Sequence, residues 1–520
     1  MSLRSPVSIA AVSCALMLGC SSDKDGQEVM ENPAQAKAGN VSSAGQSGGA
    51  GGRAGSPAKG PDNTIRAGAG GQAPRAGSNA AAGAGGKASD TTRAGAGGKA
   101  PAGGAGSAAP EADGVSRAEI APDTAPNISD ADYAAFIEHI NQLGLDLGQK
   151  QAAANKLTQE NLIYSPISAT YALGMTYGGA RGKTAEEMKK VLGDSFAQGI
   201  FHKGANKLAR ELASRAQSRK DSAGVTHKVE LNLADALFVD NTFKLQPSFL
   251  ELMARDYDSG VHRQDFVHAF EPARMEINDW VADQTHDRIE NLIPQGGLDA
   301  NTRLVLVNAL YFYGSWLSPF EASRTSDAAF HLLSGSSVQV KTMHDETRLD
   351  YAKTTDFELV DLPYEGDKLS MTVVLPAEGK FENVRAQVSA AWLKTATASL
   401  APRTVNIALP KWKIVAGSFS LRQGLEELGM KTAFTDGADL SGLSQDGPLA
   451  VSDVWQKAFI AVDELGTEAA AATAVGVGVT SVPVDVVPFV VDRPFLFFIR
   501  DQNGAVLFSG QIVDPSKIAP

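Results

Sequence analysis

The sequence predicts an α+β fold built around a large mixed β-sheet. Three observations carry that prediction. Helical periodicity fills the first third of the folded part; alternating or continuous apolar runs dominate the rest. Only two cysteines occur, Cys14 and Cys20, both near the start, so a hydrophobic core rather than disulfides must hold the fold. The chain is 520 residues long, more than one compact core needs, and its early part is too poor in large apolar residues to fold.

Taken in order, residues 1–19 read as a signal peptide. MSLRSPVSIAAVSCALMLGC has one Arg, an apolar run too short to span a membrane, and Gly19 directly before Cys20. That ending resembles the bacterial lipoprotein cleavage box, with Cys20 as the lipidated residue, although Leu18 is larger than is usual there. A plain signal peptide with an incidental cysteine is the alternative. The expected location is the cell envelope, lipid-anchored at the outer membrane or surface, or else secreted.

Residues 20–125 are expected to be a disordered Gly/Ala-rich stalk. RAGAGGQAP at 66–74 returns as RAGAGGKAP at 93–101, and no strict three-residue glycine period supports a collagen reading. The folded domain is expected over 126–520. The net charge of −12 argues against wholesale nucleic-acid binding. Lys203, Lys207, Arg210, Arg215, Arg219 and Lys220 form one local basic cluster. It reads as a solvated helix face, with a polyanion site as the alternative.

Within the domain, DADYAAFIEHINQLGLDLGQKQAA and FHKGANKLARELASRA are amphipathic helices. TAEEMKKVLG opens with Thr184 three residues before Glu187, a capping-box spacing, and ends at Gly193. VELNLADALFVD alternates like a strand, and TRLVLVNALYFYG is apolar on both faces. LSMTVVLPA, TVNIALPKWKI, AFIAVDE, FLFFIR and AVLFSGQIV add further strands.

Catalytic signatures are missing from the sequence. Gly45-Gln46-Ser47-Gly48-Gly49 fits a nucleophile-elbow pattern but has no strand before it. The eight histidines show no metal-ligand spacing, and no cofactor motif occurs. Triads assemble from distant residues, so an exported hydrolase stays a competing class.

The informative stretch is DELGTEAAAATAVGVGVTSVP, residues 463–483. Read as a strand, it puts Thr467, Ala469, Ala471 and Thr473 on one face and Glu468 on the other. Side chains that small suit a segment that must slide between strands already in place. An Ala-rich surface loop is the plainer reading. The stretch resembles the hinge and reactive loop of serpins: an acidic residue, Gly, Thr, Glu, then alanines and Thr. NLIYSPISATYALGMTYGGARGKTAEEMKKVLG, INDWVADQTHDRIENLIP, TRLVLVNALYFYGSWLSPF, LGMKTAFTDGADLSGLS and RPFLFFIRDQNGAVLFSGQIVDP resemble serpin segments in the same order, covering about residues 130 to 517.

The resemblance implies a serpin fold with about nine helices and three β-sheets, the large central sheet accepting the reactive loop as an extra strand. It implies a monomeric suicide-substrate inhibitor that traps a serine protease as its acyl-enzyme and needs no cofactor. Glu464, Gly466, Thr467, Glu468, Ala469, Ala470, Ala471, Ala472 and Thr473 form the hinge, with Leu465 in place of a more usual charged residue. Ser165, Ser168 and Asn308 match the shutter, where Gln456 stands in place of the usual histidine, and Trp316 matches the breach. Plain core packing is the alternative for each. Counting from Gly466 puts the reactive bond at Thr480–Ser481, within one or two positions. No Lys or Arg occurs from Leu465 to Asp492, so a trypsin-type pocket would have no partner. The expected target is elastase- or subtilisin-like, with a papain-like cysteine protease as a further option. A non-inhibitory surface binding or chaperone-like serpin is the alternative function.

Overall fold

A twelve-residue apolar strand explains the architecture best. Leu304–Ser315 is buried on both faces because helices cover each side of the sheet it belongs to. Leu304, Leu306, Leu310 and Phe312 join the main core; Val305, Val307 and Ala309 pack under a helix on the other side. The computed structural model describes residues 114–222, 224–468 and 485–517. Cys20, the Gly45–Gly49 pattern, hinge residues 469–473 and the Thr480–Ser481 bond lie outside them.

Among the described residues there are nine helices. These are α1 (Asp130–Ala154), α2 (Pro166–Gly179), α3 (Gly182–Gly193), α4 (Gln198–Ala213), α5 (Pro247–Tyr257), α6 (Phe266–Gln284), α7 (Phe381–Gln387), α8 (Ala390–Ala398) and α9 (Arg422–Leu428). α1 starts where Ser129 caps it, the side chain accepting from the Asp132 amide. α2 has Pro166 in its first turn and every residue buried, so it carries no amphipathic stripe.

Among the described residues, strands gather in two nine-stranded sheets. The first runs in the order β1 (Val115–Ser116), β5 (Val261–Gln264), β4 (Thr226–Asp240), β6 (Leu304–Ser315), β15 (Gly466–Thr467), β14 (Asp453–Asp463), β12 (Trp412–Val415). β3 (Gln217–Lys220) flanks β4, and β13 (Phe419–Ser420) flanks β14. The second runs β16 (Val486–Val490), β11 (Ala401–Pro410), β8 (Ser337–Lys353), β9 (Phe357–Pro363), β10 (Leu369–Pro376), β17 (Phe495–Asp501), β18 (Val506–Ile512), β2 (Leu162–Tyr164), with β7 (Ser326–His331) against β8. α6 covers one face of the first sheet; the main core, including α2, covers the other.

Four expectations need correction. Hydrogen bonding joins the strands into two sheets rather than three, because the seventeen-residue β8 is long enough to pair with β7 and β11 and, at its end, with β9. Paired backbone is already present before residue 126: Val115 and Ser116 are buried and pair with His262 and Val261 of β5. Glycine and alanine richness up to that point hides the strand. Thr184 does not cap α3, which starts two residues earlier with Arg181 at its cap. The Thr184 hydroxyl instead receives the Asp439 amide, and Glu187 receives the Lys431 and Thr432 amides.

The basic cluster is not one helix face either. Lys203, Lys207 and Arg210 lie on α4, but Arg215 follows it, and Arg219 and Lys220 lie on β3. Arg215 pairs with buried Asp501 and Arg219 with Glu365, both through two nitrogens, so those charges are neutralised internally.

Candidate functional site

β6 and β14 are parallel neighbours at one end of the first sheet and are wedged apart at the other. Over Asp453–Ala458 they pair directly, Asp453 with Val305 through Ala458 with Leu310. Beyond that, β15 lies between them, antiparallel to both. Gly466 faces Asp463 and Ser315; Thr467 faces Val462 and Gly314. The first two residues after the turn at the end of β14 are therefore already seated as a strand.

Gly466 is required there. Its φ is +152°, and a Cβ would meet the Gly314 carbonyl oxygen at 2.0 Å. Thr467 is buried, and its hydroxyl shares a 2.7 Å hydrogen bond with the Tyr364 hydroxyl. Tyr364 stacks on Trp316 with ring centroids 4.6 Å apart. The Trp316 indole donates to the Asp463 carbonyl at 3.0 Å, and its amide donates to the Leu465 carbonyl at 2.8 Å. Trp316 thus braces the turn between β14 and β15.

Two acidic residues of the hinge are held differently. Glu464 accepts from Lys411 at 2.6 Å and from the Thr325 hydroxyl at 2.8 Å. Burial alone would raise its carboxyl; Lys411 leads the opposing influences, which hold it below the usual range. Glu468 points to the opposite side from Thr467 and pairs with Arg288, in the segment after α6. Burial raises the Glu468 carboxyl, against Arg288, His286 and Lys228, and its Oε2 has no partner. Its amide still donates to the Ala461 carbonyl, but its φ of +61° ends the extended conformation of β15. For a residue with a Cβ that conformation costs about 1–2 kcal/mol.

Lower on the same strands, Ser165, Ser168, Asn308 and Gln456 come together. Ser165 caps α2 and receives the Ser168 amide. Gln456 stands in register with Asn308 and donates from one nitrogen to the Asn308 side-chain oxygen and to the Ser165 carbonyl, both at 2.9 Å. This amide bridges β14, β6 and the start of α2, making two hydrogen bonds.

Four residues that the sequence pattern did not flag belong to the site: Asp235, Arg288, Tyr364 and Lys411. Their partners lie 67, 180, 103 and 53 residues away, so local spacing carries no signal for them. Among the described residues, no group of three or more His, Cys, Asp or Glu could hold a metal ion. No helix there is long and apolar enough to cross a membrane.

Residues 138–515 match the family model described as Serpin (serine protease inhibitor). The chain is 38% identical over 382 residues to an uncharacterized serpin-like protein of Thermococcus kodakarensis, covering 73% of this chain and 85% of that one. It is 36% identical over 364 residues to the leukocyte elastase inhibitor of Xenopus laevis, covering 68% and 93%. Among solved structures, the thermophilic serpin tengpin in its native state aligns with a TM-score of 0.66 at 26% identity, over 76% of this chain and 97% of that one. With a family match spanning residues 138–515 and relatives 36–38% identical over two thirds of its length, the chain belongs to the serpin family, whose members are in general inhibitors of serine proteases rather than enzymes.

Proposed function

We propose that this chain is an inhibitory serpin that acts as a suicide substrate. The observation that carries this reading is the position of Gly466 and Thr467, already hydrogen-bonded between β14 and β6 in antiparallel register with both. Continued in that register, residue 471 would enter between Ala458 and Leu310, and residue 473 between Gln456 and Asn308. Residues 469, 471 and 473 would face the main core, the side on which Thr467 meets Tyr364. Alanine and threonine fit a face that is already packed; larger side chains would clash on entry.

A protease attacking the Thr480–Ser481 bond forms an acyl-enzyme. The freed segment then inserts between β6 and β14, lengthening β15 to roughly fifteen residues, about 50 Å in all. The attached protease is carried along, its active site is distorted, and deacylation stalls. The inhibitor supplies no catalytic group; the backbone hydrogen bonds and buried area gained on insertion drive the trap.

Val, Thr and Gly around the bond suit the small apolar pockets of an elastase- or subtilisin-like enzyme. The relationship to a leukocyte elastase inhibitor supports the same class. A papain-like cysteine protease is the further candidate, and the protein acts as a monomer. We also assign Cys20 as a lipid anchor that holds the domain at the cell envelope through the stalk. Incubation with a protease panel, read by denaturing gel and mass spectrometry of the released peptide, tests the inhibitory reading. An SDS-stable adduct with elastase or subtilisin supports it; an adduct with trypsin alone sinks the target assignment. Loop cleavage with neither adduct nor gain in thermal stability would make this a non-inhibitory, binding serpin. The mass of the N-terminal peptide from membrane fractions tests Cys20.

A further inference from the structure

β4 brings a carboxyl group to the place where the sheet must part. Asp235 stands in register with Asn308, and Asn308 with Gln456, so the three form one row across β4, β6 and β14. Strand alternation turns all three toward α2: Leu233, Leu310 and Ala458, which share their faces, pack with the main core. The Ser168 hydroxyl donates to Asp235 Oδ1 at 2.7 Å. Gln456 links Asn308 back to the Ser165 carbonyl. A ring of hydrogen bonds from α2 through three strands and back to α2 is thus complete except between Asp235 and Asn308. Asp235 Oδ2 and Asn308 Nδ2, both buried and without partners, belong to the two residues flanking that gap.

An ionised Asp235 would be poorly served here. α2 presents Ser165, Ser168 and Tyr171, whose hydroxyl donates to the Ala205 carbonyl; β6 presents Asn308 and β14 Gln456. Tyr171 is the one titratable group among these, and none is a cation. Burial raises the Asp235 carboxyl well above the usual range, and only the Ser168 hydroxyl works against it.

We propose that Asp235 is a further positioning residue of the strand-parting step, protonated while β6 and β14 are paired and ionised once they separate. The inference rests on the insertion reading above. Parting the strands admits water to the row, which hydrates the carboxylate; the Asp235 O–H bond breaks and the proton goes to solvent. The closed sheet binds one proton more than the open one. Rising pH therefore favours opening, across the interval between the solvated and the buried carboxyl's titration.

The test is annealing of a synthetic peptide spanning residues 467–480 to the intact protein, followed by native gel from pH 5.5 to 8.5. The wild-type rate is expected to rise about tenfold over this range, with Asp235→Asn staying at the slow, acid-limit rate. Ser168→Ala, which removes the carboxylate's one donor, should move the wild-type midpoint to higher pH; it also serves if Asp235→Asn does not fold. An unchanged pH slope in Asp235→Asn, or an unmoved midpoint in Ser168→Ala, overturns the proposal. If the peptide enters none of the proteins, the insertion reading fails instead. Hydrogen exchange of the 305–310 and 453–458 amides, corrected for intrinsic pH effects, then decides Asp235 separately. Opening that rises with pH in the wild type but not in Asp235→Asn supports it, and parallel behaviour refutes it.

Discussion

The two ends of the β6–β14 seam are held by opposite means. At the lower end six residue pairs are directly bonded, and a buried amide ties both strands to a helix. At the upper end the strands are kept apart by two residues of the chain's own hinge, braced by stacked aromatic rings and by acidic side chains paired with Lys411 and Arg288. The lower end resists parting because its strands pair directly and the Gln456 amide bonds both Asn308 and Ser165. The upper end has been parted in advance, and its strand positions are filled as far as Thr467. On the insertion reading proposed above, the contrast would put the obstacle at the lower end.

The contrast is broken most severely at Thr467. Thr467→Arg puts a guanidinium in a buried position whose polar neighbour is the Tyr364 hydroxyl. The expected outcome is cleavage without trapping: the SDS-stable adduct with elastase falls at least about tenfold, as densitometry of the gel would record. Next in size, Trp316→Ala removes the upper brace and leaves a cavity beside Tyr364. It should cost about 3–5 kcal/mol in denaturant unfolding. At the lower end, Gln456→Ala leaves the Asn308 oxygen and the Ser165 carbonyl without their donor. A loss of about 2–3 kcal/mol is expected, with faster exchange of the 305–310 amides, and an unchanged exchange rate would count against the seam as the barrier.

Acid provides a control for any pH series on the seam. His202 on α4 is buried, with Nδ1 on the Tyr257 hydroxyl and Nε2 unpartnered, and burial pushes its pKa down to about 4. The native state favours the neutral ring, so stability is retained above the ordinary histidine value and is lost as pH falls from 6.5 toward 4. His202→Gln should flatten that acid loss, worth on the order of 2–3 kcal/mol in urea midpoints, without changing the pH response of the seam. The smallest effect is expected for Arg288→Ala. Arg288 is half exposed, so about 1 kcal/mol is at stake, read as faster exchange of the Gly466 and Thr467 amides.

Much of the fold was legible because burial leaves a pattern. β6 reads as a continuous apolar run since both its faces are covered, and α1 and α4 show stripes since one face is wet. β8 was not legible: its stretch SVQVKTMHDETRLDYAK mixes exposed and buried positions without a clean alternation. α2 became visible only through the family resemblance, because a helix buried all round has no stripe to read. Of the site, the hinge composition, Trp316, Ser165, Ser168, Asn308 and Gln456 could be named from motifs. Asp235 could not, since it occupies an inward position of an ordinary alternating strand and its meaning comes from Ser168 and Asn308. Arg288 is similarly mute until the fold sets it against Glu468.

Glu468 has one more consequence. Its left-handed backbone ends the extended run of β15, so on the insertion reading lengthening the strand would begin with the rotation of one residue rather than with any rupture. Positions 469 and 470 could then advance before Ala458 and Leu310 had to release each other. On that reading the first two steps would part no paired strands, and resistance would start at the third. Small thermal excursions would reverse themselves, while a severed loop that passes that point has every reason to continue.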